Sequence, residues 1–369
     1  MPALHQSLCA LIAAAALGLL PMPAQAGPRY TITALPPGTS VSAINEQGQI
    51  AGSVGTPDGP RAYLWSAGAL FDIPVLNQTD ASLATSVNGS GAVSGYAVLA
   101  SGERRAFTYA SGALTELDIF GAGDHYAQAI GSSGDVVGAY VREGNLRAYV
   151  YRNGVATDLG TLGDSFATAT GINSAGHVVG FSGLDDGQPL LAHAFLYADG
   201  VMTDLGTMAG ASLSEATAIN DRGQITGHGW VQGSHHAFLY QQGVMRDLGT
   251  LGGRYSFAYD INSAGQIVGW SNAPGDEAAF AFLYDGSSML DLNTLIDPAS
   301  GWILHEARGI NDRQQIAAFG CRGEVCGAVL LEPAAIAVAE PATLMLMLCA
   351  LALLGLGGIG RASAAYRCA

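Results

Sequence analysis

Residues 170–205 read TGINSAGHVVGFSGLDDGQPLLAHAFLYADGVMTDL, and this stretch decides the fold. A short apolar run ends at Asn173, and Asn173-Ser-Ala-Gly176 follows. Asn is favoured at the first position of a type I turn and Gly at the fourth, so these four residues predict a hairpin. Residues 177–181 form the return strand. Residues 182–191 are polar and glycine-containing, the composition of a loop. His193-Ala-Phe-Leu-Tyr197 has the aromatic and apolar content of a third strand. Ala198-Asp-Gly200 is a turn, and residues 201–205 give a fourth strand. Four antiparallel strands in about 44 residues make one propeller blade.

The same pattern recurs along the chain. The Asn position falls at Asn45, Asn88, Gly131, Asn173, Asn220, Asn262 and Asn311, at spacings of 43, 43, 42, 47, 42 and 49 residues. A period in the forties built from short β-runs is the signature of a propeller or a solenoid. No part of the repeat region carries a sustained helical period. The seventh copy has three strands, near residues 306–311, 315–319 and 327–331, and then stops. An orphan strand, residues 30–35, precedes the first copy and ends at Pro36-Pro37. An N-terminal strand that completes the last blade closes a ring and removes its open edges, which a linear solenoid does not require. The expected fold is therefore all-β: a seven-bladed β-propeller of four-stranded blades over residues 27–333, its last blade closed by the N-terminal strand. Gly at 176, 223 and 265 is expected at positive φ, paired with Asn173, Asn220 and Asn262 in the hairpin turns.

Composition excludes several functions. The 369 residues carry a formal net charge of −15, and all fifteen basic residues are Arg. A nucleic-acid footprint is a basic patch, so acidity argues against one. The absence of Lys removes Schiff-base chemistry and the P-loop lysine.

Both ends read as sorting segments. Residues 8–20 are apolar, and Ala24-Gln-Ala26 supplies the small residues that signal peptidase needs. Residues 1–26 are thus a signal peptide cleaved between Ala26 and Gly27. At the other end, Glu340-Pro341 precedes an apolar segment, residues 344–359, followed by Arg361 and Arg367. Sixteen residues are short for a spanning helix, yet within reach of a thin bilayer. Basic residues after it would stay cytoplasmic. Residues 334–369 resemble the PEP-CTERM sorting signal of Gram-negative bacteria, with Ala339 where that motif has its first Pro. The resemblance implies processing by an exosortase, with transient anchoring in the inner membrane. An ordinary C-terminal anchor is the alternative.

The repeats resemble a second family. His193-Ala194-Phe195 and His236-Ala237-Phe238, with the neighbouring Asp-Leu-Gly-Thr and Ile-Asn-x-x-Gly segments, are similar to the HAF repeat of extracellular bacterial proteins. Arg replaces His at Arg61, Arg105 and Arg147; Phe280 and Gly327 stand there in the last two copies. The resemblance implies architecture and an extracellular location, and no defined activity.

The candidate chemistry is sparse. The recurring cation precedes the third-strand Ala, and a recurring acid closes the fourth strand. His193 with Asp204 and His236 with Asp247 are therefore candidate pairs across a hairpin. Recurrence in nearly every copy favours a structural role over a site. His228, His235 and His236 cluster in the fifth copy, but neighbouring strand residues point to opposite faces, which disfavours a zinc or copper site. Asp185-Asp186-Gly187 lacks the alternating acids of a calcium loop. Cys321 and Cys326 remain once the sorting segments are set aside, and in an oxidising compartment two close cysteines read as a disulfide. No nucleophile motif is present, and the residues call for no cofactor or metal.

These readings converge on an exported, non-catalytic repeat protein, surface-displayed or released. It would act as a binding or extracellular-matrix component presenting variable loops to glycan or protein ligands. The candidate loops join second and third strands, at residues 54–60, 98–104, 141–145, 182–191, 231–234 and 272–279. Exosortase systems accompany exopolysaccharide production, so the resemblance implies extracellular polysaccharide as a partner. The alternative is a propeller-scaffold hydrolase or lyase acting on such a polysaccharide.

Overall fold

The computed structural model describes residues 29–76, 81–121, 123–184 and 191–334. The signal peptide with Ala26 and Gly27, and the sorting signal with Glu340, Pro341 and residues 344–359, lie outside the described residues, as does Asp185-Asp186-Gly187. No described helix is long and apolar enough to cross a membrane.

The described residues form seven four-stranded antiparallel sheets. Blade 4 is representative, with strands Gly163–Ile172, Val178–Leu184, Ala192–Ala198 and Val201–Asp204. Blades 1 to 6 are sequential meanders. Blade 7 takes Ile303–Ile310, Ile316–Arg322 and Val325–Pro333 from the C-terminal end and Tyr30–Ala34 from the N-terminal end. Tyr30–Ala34 pairs in register with Val325–Pro333, from Tyr30 opposite Pro333 to Ala34 opposite Val329. The ring is closed by this strand, as the orphan run before the first copy predicts.

Alternation within each third strand explains why the blades stack. Ala194 faces the following blade, where it packs in a cluster with Ala216 and Phe238. Phe195 faces the preceding blade, against Val137, Ala148 and Leu159. Both are fully buried. Seven such apolar clusters fill the seven seams, and the one joining Ala317, Ala328 and Leu330 to Val41, Ile50 and Tyr63 seals blade 7 to blade 1. The second-strand glycine of the repeat has a steric cause. A Cβ at Gly227 would collide with the Glu215 carbonyl oxygen and with the Phe238 ring.

The inner turns carry a second layer of closure. Gly176, Gly223 and Gly265 sit at φ of 78°, 74° and 82°, each ending an Asn-x-x-Gly turn with a left-handed residue. The Asn does more than start the turn. Asn220 Oδ1 accepts the amides of Arg222 and Gln224, and its Nδ2 donates to Gln224 Oε1. That Nδ2 also donates to the Asn262 carbonyl of the next blade, at 2.9 Å. The link repeats from Asn45 to Asn88, Asn88 to Gly131, Asn173 to Asn220 and Asn262 to Asn311, and Asn311 returns to Asn45 at 2.9 Å. Only Gly131, with no side chain, breaks the circle. There Arg152 pairs with Asp135 of its own blade and donates to the Gly176 carbonyl of blade 4, holding that seam by another route.

Two expectations need correction. The sequence predicts variable loops between second and third strands in six blades. Blades 1, 3 and 5 instead run their ladders to two-residue tips, at 57–58, 143–144 and 232–233. Glu143-Gly144 and Gln232-Gly233 both have positive φ at both residues, the turn whose twist matches a hairpin. Longer connections remain at 99–103 and 273–278, and residues 185–190 are not described. First strands are also longer than the apolar run suggests, because a β-bulge displaces one residue and hides their alternation. Cys321 and Cys326 face each other across the blade 7 hairpin and form a disulfide, with Cα atoms 4.1 Å apart.

Asn220→Ala removes the acceptor of two turn amides and the cross-blade donor to the Asn262 carbonyl, which keeps only the Gly265 amide, and is expected to cost about 2 kcal/mol or more in urea unfolding. Gly131→Asn is expected to stabilise by about 1 kcal/mol, by completing the circle and restricting the unfolded chain. Its Cβ meets nothing nearer than Ile172 at 3.5 Å. A destabilising Gly131→Asn would contradict the role given to the Asn circle.

Candidate functional site

The sequence-predicted cations and acids come together, and their geometry is architectural. Phe195 stands opposite Asp204, so His193, two residues earlier, shares the face of that carboxylate. His193 Nδ1 lies 3.0 Å from Asp204, and His236 Nδ1 2.7 Å from Asp247. Arg147 pairs with Asp158 at 3.2 Å and Arg105 with Glu116 at 3.5 Å. The acid has a second task. Asp158, Asp204 and Asp247 each accept the amide of the Gly two residues on. The Leu between them donates to the third-strand Ala carbonyl. The Asp-Leu-Gly segment is thus a corner that turns the chain from one blade to the next. Gly160 and Tyr140 among the donors, with the Arg147 guanidinium, hold the Asp158 carboxyl below its ordinary range against the opposing effect of burial.

Buried serines tie these corners across the seams. Ser214 Oγ accepts the Ala194 amide and donates to the Gly206 carbonyl; Ser256 repeats the arrangement with Ala237 and Gly249. Ser82 accepts the Ala62 amide. In blade 3 this position is His125, 3% exposed, and its Nδ1 has no hydrogen-bond partner. Burial, reinforced by Arg105, holds its pKa below the ordinary imidazole value, with Asp118 and Asp124 opposing.

The central channel is lined by the residues that the first-strand bulges push inward: Ser42, Thr85, Gln128, Thr170, Thr217, Tyr259 and Arg308. It encloses about 330 Å³. Small or uncharged residues line most of it, and blades 6 and 7 break the pattern. Arg308 lies over the Tyr259 ring at 4.0 Å and pairs with Glu306 at 2.8 Å. Asp260 occupies a position that is Ala, Ser or Gly in the other blades. Its carboxylate accepts the amides of Ile261 and, across the seam, Ile310. The channel wall withdraws it from water and raises its pKa to about 6, against those two hydrogen bonds.

A third feature is aromatic, and sequence reasoning missed it. Second-strand residues pack on first-strand residues of the next blade, toward the face that carries the hairpin tips. Tyr96 meets Tyr126 edge-on at 5.5 Å. His228 and His235 both contact Phe257, which stacks on Trp270 at 4.8 Å; Trp230 closes on His235. Trp270 Nε1 donates to Tyr259 Oη, joining this group to the channel. The signal was present as an aromatic or His directly after the second-strand Gly, at Tyr96, Phe181, His228 and Trp270, but strand position alone does not show which blade it meets. No described group of three or more His, Cys, Asp and Glu could hold a metal ion.

No protein-family model matches the chain, and no curated protein matches it in sequence. Solved structures share its fold. The β-propeller domain of the Trilobed protease from Pyrococcus furiosus, which has an open velcro topology, is 9% identical with a TM-score of 0.57, over 81% of this chain and 94% of that one. YCF48 bound to D1 peptide is 11% identical with a TM-score of 0.51, over 85% and 97%. TolB from Acinetobacter baumannii is 11% identical with a TM-score of 0.47, over 78% of this chain; the match spans 63% of that protein's length. At these identities the likeness shows the propeller fold alone.

The raised Asp260 pKa gives a signed pH test. An acid whose folded pKa exceeds its unfolded value destabilises the fold as pH rises through about 6. His125 and His235, whose pKa values are lowered, act oppositely and cost stability as pH falls below the unfolded imidazole value. The difference between Asp260→Asn and wild type isolates the carboxyl. The melting-temperature advantage of Asp260→Asn is expected to be larger at pH 7.5 than at pH 5, and a pH-independent difference would contradict the buried-carboxylate assignment.

Proposed function

We propose that this chain is an exported, non-catalytic binding propeller, displayed at or released from the surface of a Gram-negative bacterium, where it engages extracellular polysaccharide. One observation carries this reading. The recurring ionisable side chains of the repeat are engaged in building the ring, while among the residues that break its symmetry are partly exposed aromatic groups, as at Trp230, Phe257 and Trp270. Aromatic faces with a few polar groups suit sugar rings and other amphipathic ligands. The disulfide at Cys321 and Cys326 fits an oxidising compartment. The resemblance to HAF repeats and to the PEP-CTERM signal supports the same location. Signal peptidase and an exosortase would then be the processing partners.

A second reading rests on Asp260. A carboxyl titrating near pH 6, in a channel beside Tyr259 and Arg308, has the properties of a proton donor for glycan cleavage.

Retention on immobilised bacterial polysaccharides, followed by sizing of the eluted polymer, separates the two. Binding with unchanged polymer length is expected. Shortened products that vanish in Asp260→Asn would overturn the non-catalytic reading. For processing, mass spectrometry in a host with the exosortase is expected to find a mature chain beginning at Gly27 and lacking residues 344–359. An intact C-terminal tail there would favour the ordinary anchor.

A further inference from the structure

The linker between blades 2 and 3 departs from its equivalents. After the Asp-Leu-Gly corner, the other linkers place Leu162, Met208 and Leu251 against a seam cluster. Here the segment reads Glu116-Leu-Asp-Ile-Phe120. Ile119, one position earlier, is fully buried in the seam. Phe120 is left outside, 49% exposed, with φ of 54°. A left-handed backbone on a bulky residue is rare and costs energy, and such strain gathers at ligand sites. An exposed Phe gains nothing from burial that would offset it.

Phe120 forms one wall of a cleft. One of its faces leans on Tyr140, ring centroids 4.6 Å apart, at a tilt of 37°. Ile119 and His125 lie behind, and Arg142 stands at the rim of the blade 3 hairpin. The cleft holds about 450 Å³. His125, at the position where blades 2, 5 and 6 have the bonded Ser82, Ser214 and Ser256, brings a buried nitrogen without a partner to its base. Arg142 is exposed, hydrogen-bonds the Tyr140 hydroxyl and enters no ion pair among the described residues, unlike its neighbours Arg104, Arg105 and Arg147. Glu143 shares the rim, and Asp158 accepts from Tyr140 Oη at 2.8 Å.

Resting on the polysaccharide-binding reading, we propose that this cleft is a subsite for an acidic sugar residue of an extracellular glycan. The apolar face of the sugar packs on the open side of Phe120, and its carboxylate pairs with the Arg142 guanidinium. The aromatic supplies contact area and Arg142 the selection for charge.

Calorimetric titration of the purified protein with a galacturonic acid tetramer, and with the same tetramer after reduction of its carboxyls, tests this. The acidic tetramer is expected to bind at least tenfold more tightly than the reduced one. Arg142→Gln should remove that preference. Phe120→Gly should weaken binding at least fivefold without lowering the melting temperature, because Gly accepts the backbone conformation. Arg222→Gln, on the opposite face, should change nothing. Equal affinities for the two tetramers, or unchanged acidic-tetramer affinity in both cleft variants, would overturn this site and leave general glycan binding standing. Failure of the acidic tetramer to bind also overturns the site; the binding reading is then decided by polysaccharide retention.

Discussion

An asparagine amide at the end of six of the seven inner strands makes up to four hydrogen bonds, and one of them crosses to the next blade. That geometry sets much else. The oxygen must accept from its own turn, so a left-handed residue follows three residues later, Gly in the other Asn turns and Gln314 in blade 7. The nitrogen must reach the next blade's carbonyl, so the inner turns are pressed together and the Asn side chains are buried. A buried amide is costly unless all its groups are paired, and here nearly all are. The circle also runs through the closing seam, where Asn311 meets Asn45 and the N-terminal strand completes blade 7. Local turn chemistry and global closure are thus the same set of bonds.

The corner segments do a parallel task at the outer edge. The carboxylate pairs with a cation, caps the Gly amide and fixes the chain as it passes to the next blade, while a buried serine fastens that corner to its neighbour. With so many polar groups committed to architecture, the departures from the repeat carry the functional information. They are few: Asp260 with Tyr259 and Arg308 in the channel, the aromatic and imidazole stack of blades 5 and 6, and Phe120 with His125 beside blade 3.

Much of the fold was legible in the sequence because its units are local. Asn-x-x-Gly, Ile-x-Gly and Ala-Phe each specify a turn, a close approach or an alternation within a few residues. The closing strand was legible from an arithmetic mismatch, three strands at one end and one at the other. Less could be read of what crosses between blades. The partners of Asn220 and Ser214 lie on neighbouring blades, and nothing in a single repeat names them. The first-strand bulge shifts alternation by one residue, which hid the channel-lining set. The hairpin tips misled because polar, glycine-containing residues such as Glu143-Gly144 extend a ladder as readily as they form a loop. Phe120 looks apolar in sequence, and only its φ and exposure distinguish it from Leu162.

Native-state hydrogen exchange tests the closed circle most directly, at the amides of Gln49, Ala92, His177, Gln224, Gln266 and Gln315, each bonded to an Asn Oδ1. A ring held as one unit predicts that all six open only with global unfolding and share one free energy of exchange. Protection that falls blade by blade away from the seam of blades 7 and 1 would contradict it.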